Sequence, residues 1–418
     1  MPRIPTSLLR KARVIDPLLP ALLAPCRDLR AAQNELRWLR EHVEKDAKTR
    51  TTKEKSALLR DLVKQRSSGK PLQHILGTEY FGDLEIRCRH DVLIPRFVLC
   101  SIPYLSRVCL TRRRQETAAS VIHLAHLLHR AEGLPDELRV LDLCTGTGCM
   151  PLLFQHELLS SRDDVRLRLL GVDIAVNAIQ LAEHNLKRVR KRDHHAGRWK
   201  AEFTLADVLV DPVSDQTVET LRTPHPRVAL NRQREPPFWD ILISNPPYIS
   251  PSGYWRTTTR SVRGFEPKLA LVPPLPTKAC TDAEQGDLFY PNILNIAQGI
   301  EAKILLLEVA DFDQALRVGR MAKRLEIFDG IEIWRDEPDQ GSDSAETHGE
   351  KDCEFPVSGS GNGRSVLCWR GAGTRWLGKS IQTEASTQSL PIFSHRSPPI
   401  IFKRDIPRYS ATFPGISF

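Results

Sequence analysis

The chain has 418 residues, 41% of them hydrophobic, enough for two domains and a sizeable core. A net charge of +9 fits an acidic partner such as RNA, or simply a basic, solubilising surface, and no Lys/Arg cluster alternates with aromatics. The nine cysteines are odd in number and include no C-x-x-C pair, which argues against a disulfide framework or a zinc site; no apolar run approaches the ~20 residues of a membrane span.

The first segment, "MPRIPTSLLRKARVIDPLLPALL", carries arginines and no acid before Asp16. It reads either as a mitochondrial presequence or as the first helix of a helical domain. Residues 7–66 are predicted helical. Leu29, Leu36, Leu39 and Val43 share one helical face, and Gly69 and Pro71 stop the last helix. Residues 1–70 are thus expected to form a small helical domain that recognises substrate. In 71–96, Leu84, Ile86 and Cys88 alternate with charged residues, which predicts a β-hairpin linker.

From Leu138 onward, apolar strands alternate with helical segments: "RVLDLC", "LRLLGVDI", "EFTLADVL", "WDILISNPPY" and "AKILLLEVA", closed by "LEIFDGIEIW" and "SVLCW". This order predicts an α/β fold with a mostly parallel, doubly wound, seven-stranded sheet over residues 115–372. Two loops are expected within it, 211–237 and 336–363, the second acidic and then Gly/Ser-rich. Residues 373–418 read as a Pro/Ser-rich tail with little packing potential.

"VLDLCTGTGCM" is a strand, an acid and a Gly-rich turn before a helix. Gly146 and Gly148 let the backbone approach a ligand. A dinucleotide site presents helix amides to a pyrophosphate, whereas Asp142 offers a carboxylate, which suits an ammonium group such as that of S-adenosylmethionine. Asp173 ends the second strand, where an acid can take two ribose hydroxyls, and Asp207 and Val208 follow the third, where they can flank an adenine. Asn245, Pro246, Pro247 and Tyr248 end the fourth strand. A planar nitrogen is a poor nucleophile while its lone pair is delocalised. The Asn245 side-chain carbonyl and the Pro246 backbone carbonyl can accept its N–H groups, the prolines stiffen the turn, and Tyr248 can pack on the planar group. The chemistry is positioning for in-line attack on a methyl sulfonium, with no general base evident.

These residues resemble the Rossmann-like class I S-adenosylmethionine-dependent methyltransferases with an N-P-P-Y motif. The resemblance extends to the protein-(glutamine-N5) methyltransferases of peptide chain release factors. "PLQHILGTEYFGDLEIRCRHDVLIPR" is similar to that family's P-L-x-Y-I-L-G…V-L-I-P-R segment, "GFEPKLALVPP" to its E-P-x-x-A-L segment, and "LLLEVAD" to its fifth strand. The resemblance implies methylation of the glutamine in the Gly-Gly-Gln tip of a release factor, the helical N-terminus pointing to the bacterial-type and mitochondrial branch. It implies that Asp142, Thr145, Gly146, Thr147, Gly148, Asp173, Asp207, Val208 and Asn245 hold S-adenosylmethionine, and that Asn245, Pro246, Pro247 and Tyr248 contact the glutamine. No metal, no membrane and no required nucleic acid are expected, and the protein is expected to be a monomer. A mitochondrial matrix location follows from this branch, or a cytoplasmic one if the N-terminus is not a presequence.

The sequence departs from the family pattern in places. Cys144 stands where glycine is common, and its small side chain is expected to be tolerated. Val208 replaces a frequent aromatic, and His74 a frequent tyrosine. Residues 97–114 interrupt the passage from I-P-R to "ETAASVIHLAHLLHR". They read as a lineage-specific loop or as translated intron sequence, and their deletion restores the motif, which favours the second. Two other functions compete with glutamine methylation: N6-adenine or other planar-nitrogen methylation of nucleic acid, and a binding-only scaffold. The first lacks a target-recognition domain, and the intact acidic and glycine positions weigh against the second.

Overall fold

The N-terminal helices pack on each other through the stripe that the sequence predicts. They are α1 (Thr6–Ile15), α2 (Leu19–Cys26), α3 (Leu29–Asp46) and α4 (Thr52–Ser67). Leu36, Leu39 and Val43 of α3 are buried with Leu22 and Leu23 of α2 and Val63 of α4, a core of their own. The Thr51 side chain and Glu54 form a reciprocal cap at the start of α4. Arg66 pairs with Glu35 at 2.7 Å, tying α4 to α3. Gly69, at φ +104, ends α4, and Pro71 precedes the single turn α5 (Leu72–Leu76).

The computed structural model describes residues 3–46, 50–95, 116–195, 197–210, 226–227, 229, 237–276, 280–340 and 353–380. The expected insert at 97–114, most of the 211–237 loop and residues 381–418 lie outside the described residues. Residues 1–382 group as one compact unit, within which the helical segment has a core of its own.

Strands β1 (Thr78–Phe81) and β2 (Leu84–Arg87) pair antiparallel around Gly82, at φ +56. The hairpin is anchored to the main sheet by Asn185. This buried side chain accepts from the Arg87 amide at 2.8 Å and donates to the Thr147 carbonyl at 2.9 Å.

The main sheet contains eight strands among the described residues: β3 (Glu137–Leu143), β4 (Arg166–Asp173), β5 (Trp199–Leu205), β6 (Ile241–Ser244), β7 (Ile304–Glu308), β8 (Gly330–Glu337), β9 (Val357–Ser358) and β10 (Ser360–Trp369). Their spatial order is β5-β4-β3-β6-β7-β10-β8-β9. The first five are parallel, and β10 runs antiparallel between β7 and β8. The seven expected strands are present, and the two-residue β9 extends the edge. Alternate residues serve two cores. Val140, Ile241, Ile243 and Leu306 face α6 (Glu116–His129), α7 (Cys149–Leu159) and α8 (Val176–Arg190). Leu141, Leu242, Leu305 and Leu307 face α12 (Phe289–Gly299) and α13 (Phe312–Lys323). Three short helices, α9 (Pro251–Thr257), α10 (Arg260–Phe265) and α11 (Asp282–Gly286), lie between β6 and α12 in the chain.

Where they are described, the edges of the segments read as a loop, 336–363, and a tail, 373–418, carry strand and helix; residues 341–352, like 381–418, lie outside the described residues. Within 336–363, β8 continues to Glu337 and β10 begins at Ser360. The glycines there serve an irregular strand: Gly359 and Gly361 have φ of +91 and +97, and Asp336 accepts from the Asn362 amide at 2.9 Å. Beyond residue 371, α14 (Ala372–Trp376) buries Trp376 and Leu377 against the sheet, and the Trp376 indole donates to the Gly133 carbonyl at 3.0 Å.

Candidate active site

The parallel order places four chain turns side by side at the carboxyl edge of β5, β4, β3 and β6, where open α/β sheets bind ligands. Three acids predicted from the sequence stand there. Asp142 is the last residue but one of β3, Asp173 ends β4, and Asp207 follows β5.

The turn after β3 needs left-handed backbone at three positions: Cys144 at φ +63, Gly146 at +54 and Gly148 at +74. At Gly148 a Cβ would also come within 2.9 Å of Phe203. At Gly146 a Cβ would meet nothing within 4 Å, so backbone conformation alone selects glycine there. Cys144 is accommodated as expected for its size, yet its backbone sits where an L-residue is strained by about 1–2 kcal/mol. The turn is held from β4: the Thr145 amide donates to the Val172 carbonyl at 2.9 Å and the Gly146 amide to Asp173 Oδ2 at 2.8 Å. Gly171, opposite Asp142 in the register, clears space for this arrangement, since a Cβ there would come within 2.7 Å of Thr145 Oγ1.

Asp142 is fully buried. Its Oδ2 accepts from the Thr145 hydroxyl at 2.5 Å, while Oδ1 has no hydrogen-bond partner among the described residues. Burial pushes its carboxyl up to about 8; the Thr145 hydrogen bond opposes the rise and the Asp173 charge adds to it. Burial likewise raises Asp173, against hydrogen bonds from the Ala175 and Gly146 amides. The Cys144 thiol is held well above its usual range by burial and then by the charges of Asp173, Asp142 and Asp207, so the three acids surround the turn. Asp207 accepts from the Leu209 amide at 2.9 Å, Val208 is buried, and Thr147 is buried with its carbonyl bonded to Asn185.

Asn245 leaves the end of β6 half-buried, followed by buried Pro246 and Pro247. The next residue is clamped at both ends. The Tyr248 hydroxyl donates to Glu308 Oε1 at 3.0 Å, and its carbonyl accepts from Gln314 Nε2 at 3.2 Å. Gln314 Nε2 also donates to Asp287 Oδ1 at 2.8 Å, and Asp287 is paired with Arg317 at 2.6 Å. The Ile249 amide reaches the Leu271 carbonyl at 2.9 Å. Glu266, from "GFEPKLAL", accepts from the Ile94 amide of "VLIP" at 3.3 Å, so two segments 172 residues apart meet beside this turn.

The sequence reading passed over Glu308, Gln314, Asp287, Asn185 and the buried Arg364, whose guanidinium pairs with Glu116 and Asp336. Glu308 carried a usable signal, an acid closing an otherwise apolar strand, as Asp173 does. The other four become visible only when distant elements are packed together.

No protein-family model matches this chain. The mitochondrial MRF1 N(5)-glutamine methyltransferase MTQ1 of Saccharomyces cerevisiae is 31% identical over 277 residues, which is 65% of this chain and 68% of that protein. The chain belongs to the N(5)-glutamine methyltransferases. The probable MRF1 mitochondrial N(5)-glutamine methyltransferase of Schizosaccharomyces pombe is 32% identical over 207 residues, covering 50% of this chain and 53% of the relative. The release factor glutamine methyltransferase of Chlorobaculum tepidum is 30% identical over 224 residues, covering 54% and 60%. The matched segment thus spans little more than half of these two relatives.

As a member of this group the methyltransferase uses S-adenosylmethionine, and the donor set fits that cofactor. A buried carboxylate with an unsatisfied oxygen suits an ammonium group, and a second carboxylate at the next strand end suits vicinal hydroxyls. Among the described residues, no helix of the methyltransferase is long and apolar enough to cross a membrane.

Proposed function

We propose that this methyltransferase methylates the side-chain nitrogen of the glutamine in the Gly-Gly-Gln tip of a mitochondrial release factor, in the mitochondrial matrix. The two-ended clamp on Tyr248 carries the reading, because a turn held that firmly suits a rigid acceptor for one planar nitrogen better than a plain strand end. The names of the yeast relatives support the substrate and the compartment.

Asp142 takes the ammonium group of the cofactor and Asp173 its ribose hydroxyls, while Asp173 also holds the Gly146 amide in place. Thr145, Thr147, Gly146 and Gly148 form the turn beneath it, and Asp207 and Val208 border the adenine. When bound, S-adenosylmethionine supplies an electrophilic methyl group on a sulfonium. The Asn245 side-chain carbonyl and the Pro246 backbone carbonyl accept the two amide hydrogens and so aim the nitrogen lone pair. Pro247 stiffens the turn, and Tyr248 lies against the flat amide.

Mass spectrometry of a mitochondrial release factor incubated with the protein and S-adenosylmethionine tests this. One added methyl group on the Gly-Gly-Gln glutamine is expected. Asn245→Ala is expected to lower transfer by at least about a hundredfold while the cofactor still binds. Methylation of nucleic acid in place of the release factor, or wild-type turnover by Asn245→Ala, would refute the proposal.

A further inference from the structure

We propose that Glu308 is a positioning residue for methyl transfer, anchoring the Tyr248 hydroxyl so that the ring stays fixed against the target amide. The inference rests on the role given above to Asn245–Tyr248.

Ser244 and Leu307 are partners in the register of β6 and β7, so the residues that follow them, Asn245 and Glu308, leave the two strand ends side by side. Glu308 is 4% exposed, at the end of the apolar run Ile304–Leu307. A carboxylate there is costly, and packing alone would be better served by a leucine. Burial raises its carboxyl, and the nearby Arg364 guanidinium is the main influence that favours its charge, but that cation is shared. Arg364, itself buried, is already paired with Glu116 and Asp336, each at 3.0 Å. Three carboxylates thus share one guanidinium. The Tyr248 hydroxyl donates to Glu308 Oε1 at 3.0 Å, and the Thr117 hydroxyl lies near enough to favour the same carboxylate.

The surroundings keep this bond in one geometry. The Tyr290 hydroxyl donates to the Glu308 carbonyl at 2.9 Å and fixes the strand end. Gln314 and Leu271 hold the backbone of Tyr248 and Ile249, which leaves the ring's tilt to its hydroxyl. Burial, and then the Glu308 charge, hold the phenol well above its usual range, so it remains a donor. The hydroxyl needs an acceptor and not a charge, so a glutamine at 308 suffices.

The test is steady-state kinetics on the release factor with Tyr248→Phe, Glu308→Ala, Glu308→Gln and the Tyr248→Phe/Glu308→Ala double variant. The first two are expected to lower kcat roughly tenfold, the size of one lost charge-assisted hydrogen bond, with KM changed by less than about twofold. The double variant should be no slower than the slower single variant, and Glu308→Gln should recover to within about threefold of wild type. A wild-type kcat in Tyr248→Phe, or losses that multiply in the double variant, would overturn the proposal. Tyr248→Phe removes a single oxygen, so it decides the matter even where Glu308→Ala does not fold. An inactive wild-type protein would instead overturn the glutamine reaction itself, and this role with it.

Discussion

Asp142→Asn is expected to make the ligand-free protein more stable and unable to bind its cofactor. Asp142 is fully buried, with one oxygen bonded to Thr145 and the other without a partner among the described residues. Burial lifts its carboxyl from 3.8 to about 8, so the folded chain holds this proton more tightly than the unfolded chain. The stability linked to this group is therefore complete below about pH 4 and is lost progressively as the pH rises towards 8. At pH 7 about three pH units have been crossed, a deficit of at most about 4 kcal/mol. Asparagine removes the deficit and keeps an acceptor for Thr145, but it buries an unpaired amide donor at about 1–3 kcal/mol. The net expectation is a gain of about 1–3 kcal/mol at pH 7 that vanishes or reverses near pH 4.5. Urea unfolding of both proteins at the two pH values reads this directly. Repeating it with S-adenosylmethionine should stabilise the wild type and leave the variant unchanged. A variant less stable at both pH values, or one stabilised by the cofactor as well as the wild type is, would refute the reasoning.

Cys144→Gly relieves a left-handed residue at φ +63, worth about 1–2 kcal/mol, against about 0.4–1 kcal/mol of added freedom in the unfolded chain. A modest rise in the urea midpoint is expected, and a fall would show that the thiol's packing outweighs the strain. Trp376→Ala removes a buried indole and its hydrogen bond to Gly133, and a loss of about 3–5 kcal/mol is expected. Unchanged stability would return this segment to its sequence-based reading as a tail.

The Gly-rich turn after β3 and the Asn-Pro-Pro-Tyr turn after β6 were legible in the sequence as turns at strand ends because each is local. Left-handed glycines, an acid at a strand end and an Asn-Pro-Pro-Tyr run are dictated by backbone and side-chain chemistry within a few residues. Helical stripes such as Leu36, Leu39 and Val43 were readable for the same reason, since one period places them on one face. Residues 357–363 were read as loop because glycine and serine suit a flexible loop and a bulged strand equally well, and only the sheet beside them decides. Trp376 misled because a single indole beyond a Gly-rich stretch shows no period, and its burial depends on Gly133, 243 residues away.

Tertiary structure alone decided the support behind the site. The order of the parallel strands brings Asp142, Asp173, Asp207 and Asn245 to one edge, whereas the chain scatters them over a hundred residues. Glu308, Gln314, Asp287 and Arg364 make hydrogen bonds and ion pairs that span 27–248 residues of chain. Sequence spacing carries no trace of such contacts, because they arise only when the two faces of the sheet are covered. The residue types at the candidate site are set locally; the contacts that hold them come from packing.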